Sequence, residues 1–378
     1  MRALRVSMVL PADEPYASAS GAVSAVAHAL TRHLLDRGAQ VEVLSPRAGV
    51  PTHPAGEVRE LWSAGNRPLA RRAAARVRRA LARENDAWAA YRREVVRRST
   101  GDAVIVHNDA RLARLVAASG RPTVLWLHNL LAAQSGEDVR VFAAHGGTIV
   151  GVSEHVRAWT VREHRVPEGR TTVVHNALDH DVFRPPDRWQ PGPSLRVVIH
   201  GRIDPNKGQV LAAEAVALAR SRGAAVELSV AGAVKTFGMS PPDVEAYVAR
   251  LDDALRAAGA RRLGPVPAAQ VPALLAGSDV GLALPTVPEP FSLAALECMA
   301  SGCAVVAVPL GGLAEVVGDA ALLCEPTTTD VADALCSLAS DPDALARRRA
   351  AALARAGRFT WDDSAERTLA VLHDLLGR

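Results

Sequence analysis

Short runs rich in Val, Ile and Leu alternate along the chain with longer Ala- and Leu-rich stretches whose apolar positions recur at helical spacing. The short runs predict strands over Arg5–Leu10, Val41–Ser45, Ala103–His107, Thr123–His128 and Thr148–Val152. A second series follows over Leu195–Gly201, Val226–Ala231, Asp279–Pro285, Ala304–Pro309 and Ala321–Cys324. Helices are predicted over Val23–Arg37, Ser153–Glu163, Lys207–Ser221, Pro241–Ala258 and Ser292–Ser301. Such alternation implies α/β architecture, with parallel sheets, right-handed crossovers and helices on both faces. A chain of 378 residues suits two domains better than one core. The segment Phe183–Ser194, FRPPDRWQPGPS, carries four prolines and a glycine, which stop regular structure. We therefore expect one doubly wound, Rossmann-like domain over residues 1–185 and a second over 195–360, facing each other across a cleft. Doubly wound sheets bind ligands at the carboxyl ends of their strands, so the cleft would be one shared site. Asp341-Pro342 reads as an N-cap followed by a first-turn proline, opening a helix that runs to about Ala356. A last amphipathic helix follows over Trp361–Leu376.

Composition narrows the function classes. Net charge is only +4 and 49% of residues are hydrophobic, so the chain is globular. Aromatic residues make up 4%, too few for stacking platforms on single-stranded nucleic acid, and we expect no nucleic-acid partner. No apolar run reaches 18 residues, and the N-terminal one is broken by Asp13 and Glu14, so neither a membrane span nor a signal peptide is expected. Cys298, Cys303, Cys324 and Cys336 show neither CxxC nor zinc-finger spacing and read as buried free thiols of a cytoplasmic protein.

Several chemical signatures are missing. There is no GxGxxG after the first strand, no GxxxxGK[ST] and no HExxH. Gly151-Val152-Ser153-Glu154-His155 approaches a nucleophile elbow but ends in His, and Ser153 reads as a helix N-cap. Asp179-His180-Asp181 and Asp341-Pro342-Asp343 both spell DxD. The second is explained as a helix cap, the first is taken as coincidence, and no metal is expected.

The informative stretch is Pro285–Val317, PTVPEPFSLAALECMASGCAVVAVPLGGLAEVV. Glu289 lies in a loop after a strand, and a helix opens near Ser292. The free amides and partial positive charge of a helix start make a natural diphosphate site. Glu297, one turn further in, is a hydrogen-bond acceptor beside that helix start. A Glu near a helix N-terminus is also a common stabilising pattern. With its proline, aromatic, ALE and ASG context, the segment resembles the E-x7-E signature of the retaining GT-B glycosyltransferases of family four, Phe291-Ser292-Leu293 matching the family's aromatic-Gly-Leu. A second match is His200-Gly201-Arg202-Ile203-Asp204-Pro205-Asn206-Lys207-Gly208, similar to the family's G-R-x(4)-K-G. Arg202 offers a rigid fork and Lys207 a mobile point charge.

The resemblance implies a GT-B fold and a nucleotide-diphosphate sugar as co-substrate, with a UDP-sugar favoured and a GDP-sugar next. It assigns Glu289, His128, Arg202 and Lys207 to catalysis. Phe291, Ser292, Leu293, Glu297 and Gly201 would hold the donor. Gly21 and Ala22 fill the place of the family's Gly-Gly, with Ala replacing the second glycine, and Gly264 and Val266 would flank the base. Asn176-Ala177-Leu178-Asp179 resembles the family's segment before the hinge, again with Ala for Gly. The last helix, 361–378, is expected to pack back on the first domain. Arg202 and Lys207 would neutralise the leaving diphosphate, so no metal cofactor is required, and anomeric configuration would be retained. The acceptor would be a small molecule or natural-product intermediate. A lipid acceptor and a non-catalytic partner-binding subunit are the alternatives.

Residues 67–98 hold eleven arginines against three acids. Leu69, Ala73, Val77 and Leu81 would line one face of a helix ringed by arginine. A solvated helix face, docking at the inner face of an anionic membrane and binding of an acidic acceptor all fit this pattern. The oligomeric state is not legible.

Overall fold

The computed structural model describes residues 2–18, 20–61, 88–236 and 238–378. It divides into two compact units, residues 1–176 with 361–378, and residues 177–360.

The first unit contains β1 (Arg5–Val9), α1 (Ala22–Asp36), β2 (Gln40–Pro46), β3 (Glu57–Leu61), α2 (Ala89–Arg98), β4 (Ala103–His107) and α3 (Ala110–Ala118). After these come β5 (Thr123–Leu127), α4 (Gly136–Ala144), β6 (Thr148–Gly151), α5 (Glu154–His164) and β7 (Thr171–Val173). The seven strands form one sheet in the order β3-β2-β1-β4-β5-β6-β7, and every pair is parallel. All of β4 and β5 is buried, as expected of parallel strands covered on both faces.

The second unit contains β8 (Leu195–His200), α6 (Gln209–Ser221), β9 (Val226–Ala231), α7 (Pro241–Ala258), β10 (Arg261–Gly264), α8 (Val271–Ala276) and β11 (Val280–Ala283). It continues with α9 (Leu293–Ala300), β12 (Ala304–Ala307), α10 (Gly312–Val317), β13 (Leu322–Leu323), α11 (Thr328–Ser340) and α12 (Pro342–Ala356). Its six strands are also all parallel, in the order β10-β9-β8-β11-β12-β13. Each sheet therefore reverses its strand order once, between β1 and β4 and between β8 and β11. The last helix, α13 (Trp361–Leu376), packs on α1 of the first unit, where Arg37 pairs with Asp362 at 2.8 Å and Ser364 Oγ donates to His175 O at 2.8 Å.

Local chemistry explains the boundaries. Ser240, Thr327 and Asp341 cap α7, α11 and α12 by accepting from the backbone amide three residues on, and prolines at the first turns of α7 and α12 fit where no amide is needed. Ser153 does the same for α5, accepting from Val156 N–H at 3.2 Å, so the elbow-like segment is a helix cap. The sequence pattern missed β3, β7 and β10. The last reads Arg-Arg-Leu-Gly and is an exposed edge strand, where charge replaces the apolar signal.

The chain passes between units at Asn176–Ala177, ahead of the proline-rich segment. Residues 183–194 hold no regular structure and belong to the second unit. Trp189 Nε1–H donates to buried Asp279 at 2.8 Å, and Asp279 also takes a bidentate pair from Arg196 at 2.7 and 2.9 Å. All four cysteines are free; Cys298 and Cys303 are buried, but Cys324 and Cys336 are only partly covered. Among the described residues, no helix is long and apolar enough to cross a membrane. The helix expected over residues 69–83 lies outside the described residues. In α2, the described end of the basic segment, Arg92 pairs with Asp109 at 2.8 Å, and Arg97 and Arg98 pair with Glu94 at 2.7 and 2.9 Å.

Candidate active site

In an open α/β sheet the ligand crevice lies beyond the carboxyl ends of the strands, where strand order reverses. In the second unit that point lies between β8 and β11, and the two motifs singled out above are the loops that leave these two strands.

The loop after β8 turns at Gly201, with φ 121°. Asp204 Oδ1 accepts from Asn206 N–H at 2.9 Å and fixes a tight turn over Pro205–Lys207. Gly208 follows at φ 74°, and a Cβ there would lie 2.0 Å from Leu284 O, so only glycine lets this loop approach the end of β11. Thr286 N–H completes the seam by donating to Asn206 O at 3.1 Å. This stitching brings Lys207 Nζ to 2.5 Å from Glu289 Oε1. Arg202 is half-buried on the same loop, and its carbonyl accepts from Gln209 Nε2 at 2.9 Å.

Glu289 is held by its backbone as well. Its N–H donates to Leu310 O at 3.2 Å, and its carbonyl accepts from Gly312 N–H at 2.6 Å. Gly311, at φ 67°, makes this clamp possible, because a Cβ there would lie 2.5 Å from Glu289 O. The Gly311-Gly312 pair was not assigned a role from the sequence, since it carries no reactive side chain.

Just before α9, Ser292 adopts φ 80° and ψ 78°, the left-handed conformation that favours glycine. Its Oγ accepts from Ala295 N–H at 3.4 Å. The amides of Leu293 and Ala294, in the first turn, have no intrahelical acceptor available. Phe291 faces inward, 2% exposed, with its ring edge-on to Phe359 at 5.7 Å, so its side chain anchors the helix start. Glu297 sits one turn further along, with His200 Nε2 3.5 Å from its Oε2. Although 23% of the side chain is open, burial pushes its carboxyl up to about 8.

Gly264 ends β10 at φ 71° and its carbonyl accepts from Gly232 N–H at 2.8 Å. Gly232 in turn lies against Gly201, where a Cβ would meet Gly201 O at 1.7 Å. Glycines thus line the exits of three adjacent strands and clear the sheet edge, with half-buried Val266 just beyond. Gly232 was not singled out from the sequence.

In the first unit the corresponding reversal lies between β1 and β4. Gly21 is the N-cap of α1 at φ −82°, and Ala22 is the first helical residue, so neither requires positive φ. Glu14 Oε1 accepts from Ser24 N–H at 3.0 Å and supplies the helix cap that Gly21 cannot. His128 follows β5 and its Nε2 lies 2.8 Å from Nδ1 of His107, at the end of β4. Burial lowers the pKa of His107 to about 3 and that of His128 well below the usual range, so both rings are neutral. His107 Nε2 bonds to Met8 Sδ, and a thioether has no hydrogen, so the proton sits on His107 Nε2. Nδ1 of His107 must then accept from His128 Nε2–H. That leaves His128 Nδ1 as an acceptor, the polarity suited to a sugar hydroxyl.

Sequence comparison places both parts of the chain among the glycosyltransferases. A model of the group 1 glycosyl transferases matches residues 194–341, and one of glycosyltransferase family 4 matches residues 23–182. The chain belongs to glycosyltransferase family 4. The D-inositol 3-phosphate glycosyltransferase of Mycolicibacterium paratuberculosis is 36% identical over 220 residues, covering 55% of this chain and 48% of that protein. The chain thus matches about half the length of such curated relatives. Among solved structures, a glycosyltransferase from Rickettsia africae aligns over 100% of this chain and 99% of its own, with TM-score 0.77 and 15% identity. Anabaena HepE, in complex with UDP and glucose, aligns over 98% and 100% with TM-score 0.74 and 19% identity. These likenesses show the GT-B fold, two Rossmann-like domains.

Proposed function

We propose that this family 4 protein transfers a sugar from a nucleotide-diphosphate donor to a small hydroxyl-bearing acceptor, with retention of anomeric configuration. The observation that carries this reading is the convergence of Lys207, Glu289 and the start of α9 at the β8/β11 reversal. There a cation, a carboxylate and free helix amides meet within one unit. In the proposed reaction the amides at the start of α9, with Arg202 and Lys207, hold the diphosphate. Glu297 accepts from the ribose, and Glu289 orients the sugar. His128 and the Gly21 turn of the first unit are assigned to the sugar by the family resemblance.

As the bond to the anomeric carbon breaks, negative charge grows on the leaving phosphate, and stabilising it is the largest catalytic contribution. Arg202 and Lys207 are the cations assigned to that task, so the proposed reaction needs no metal. A UDP-sugar is favoured because HepE takes UDP and glucose. A phosphorylated polyol is the leading acceptor class because the curated relatives are named for inositol 3-phosphate. Membrane docking through residues 67–98 finds no support in α2, whose Arg92, Arg97 and Arg98 are paired within the protein.

The test is calorimetry of the purified chain with UDP, GDP and ADP, each with Mg²⁺ and with EDTA. Binding of one diphosphate equally well in EDTA supports the reading and names the base. If none binds under either condition, the donor site fails as proposed.

A further inference from the structure

His200 ends β8 one residue before the Gly201-Arg202 turn, and 8% of its side chain is exposed. Its Nε2 lies 3.1 Å from Ala294 O, in the first turn of α9, and 3.5 Å from Glu297 Oε2. A carbonyl oxygen carries no proton, so Nε2 is the protonated nitrogen, and its N–H faces both acceptors. One imidazole thus ties the strand on one side of the crevice to the helix on the other. It touches that helix at the turn bearing Glu297.

The chemistry around Glu297 makes this contact consequential. The titratable groups that act on its carboxyl are His200 from β8 and Cys298 on its own helix. Cys298 is a neutral thiol, held so by its contact with Cys303 and by burial. His200 is the one N–H donor among these groups. Burial disfavours charge on Glu297 and on His200 alike, so the donor-free pair rests as a carboxylic acid beside a neutral imidazole. Two ribose hydroxyls donate better to a carboxylate than to an acid, which has one oxygen committed to its own proton.

We propose that His200 is a positioning residue of the donor site. It orients Glu297 and supplies the N–H that stabilises its carboxylate when a nucleoside diphosphate docks. Nucleotide binding is then coupled to release of the Glu297 proton. This inference rests on the reading of Glu297 as the ribose acceptor, and it adds a residue and a proton that neither motif announces.

The experiment is calorimetry from pH 6.5 to 9 in buffers of differing ionisation enthalpy, using whichever of UDP, GDP and ADP binds. Wild type is compared with His200→Val, His200→Gln and Glu297→Gln, each first checked by melting temperature. Glu297→Gln retains only the ligand's own phosphate titration and is the baseline. Relative to it, wild type should release a proton on binding, and its affinity should rise with pH and level off above about 8. His200→Val should bind about tenfold more weakly at pH 7, as for loss of one hydrogen bond to a charged group. Its rise should move to higher pH, and KM for the donor should suffer more than kcat. His200→Gln, which keeps a donor N–H, should recover most of the affinity and decides the matter if the valine variant does not fold. A wild-type profile in both His200 variants, with Glu297→Gln altered, overturns the role of His200 and leaves the ribose reading standing. A wild-type profile in Glu297→Gln overturns both.

Discussion

Lys207 Nζ and Glu289 Oε1 stand 2.5 Å apart, so the two motifs that flank the strand reversal are joined by an ion pair. The lysine side chain is 32% exposed and the glutamate 12%, so the pair is partly screened from water. A nucleoside diphosphate that recruits Lys207 must compete with Glu289 for it. Replacing the carboxylate by an amide should therefore free the lysine for phosphate. We expect Glu289→Gln to bind the nucleoside diphosphate at least as tightly as wild type, while transfer falls about a hundredfold. Lys207→Ala should instead lose about 10- to 100-fold in diphosphate affinity, the scale of a charge-assisted bond. Calorimetry and a transfer assay on both variants separate the effects. Near-normal turnover in the two would remove them from the machinery.

The two motifs were legible because each is contiguous, and the strand–helix alternation placed each at a strand exit. What could not be read is how separate loops are sewn together. Gly311 clamps the backbone of Glu289 from 22 residues downstream, and nothing in its local pattern points back to that glutamate. His200 looked like the end of an apolar strand, and its partner is a helix 94 residues away. His107 was read only as a strand residue, yet its bond to Met8 sets which nitrogen His128 offers. Asp279 was assigned to the start of a strand, but it lies one residue before β11 and anchors Arg196 and Trp189. In each case spacing along the chain identifies an element, while the function of a residue depends on a contact made across elements.

Ser292 holds φ 80° where the resembling proteins have glycine. For a residue with a Cβ this conformation costs about 1–2 kcal/mol. Its cap bond to Ala295 is long at 3.4 Å, and exchanging a serine cap for glycine costs only about a few tenths of a kcal/mol. Ser292→Gly should therefore stabilise the protein by about 0.5–1 kcal/mol and raise Tm by about 1–3 °C. A thermal melt that shows a lower Tm would mean that the hydroxyl contributes more than its geometry indicates.

Gly311→Ala should act at the site through the backbone alone. Its φ of 67° and a Cβ 2.5 Å from Glu289 O require Glu289 to move. Misplacement of a catalytic group by about 1 Å can cost about a hundredfold in rate. Gly318→Ala is the control, because its φ of 54° carries similar strain but the atoms nearest its new Cβ belong to the Arg355 side chain, at 3.3 Å. Both variants should melt earlier than wild type, and Gly311→Ala should lose about 10- to 100-fold more transfer activity than Gly318→Ala. Equal losses in the two would show that the clamp does not position Glu289.

The response of stability to pH should include two buried contributions of opposite sign. His107 and His128 have folded pKa values below the unfolded value of about 6.5, His107 at about 3, because burial disfavours their charged forms. The unfolded chain binds more protons than the folded one below that value, so their contribution is complete above pH 6.5 and is lost as pH falls toward 3. Glu297 works in the other direction. Its folded pKa, raised to about 8, makes its contribution complete below the unfolded value of about 4.3 and lost as pH rises through 8. Melting temperature against pH should thus pass through a maximum near neutrality. His107→Phe removes one buried imidazole and should flatten the acid limb, even where it lowers Tm throughout. Glu297→Gln should flatten the alkaline limb and make the acid limb steeper between about pH 4.3 and 6.5, where the two contributions overlap. An acid limb as steep in His107→Phe as in wild type would show that the pair at the end of β4 and β5 is not what makes the fold acid-sensitive.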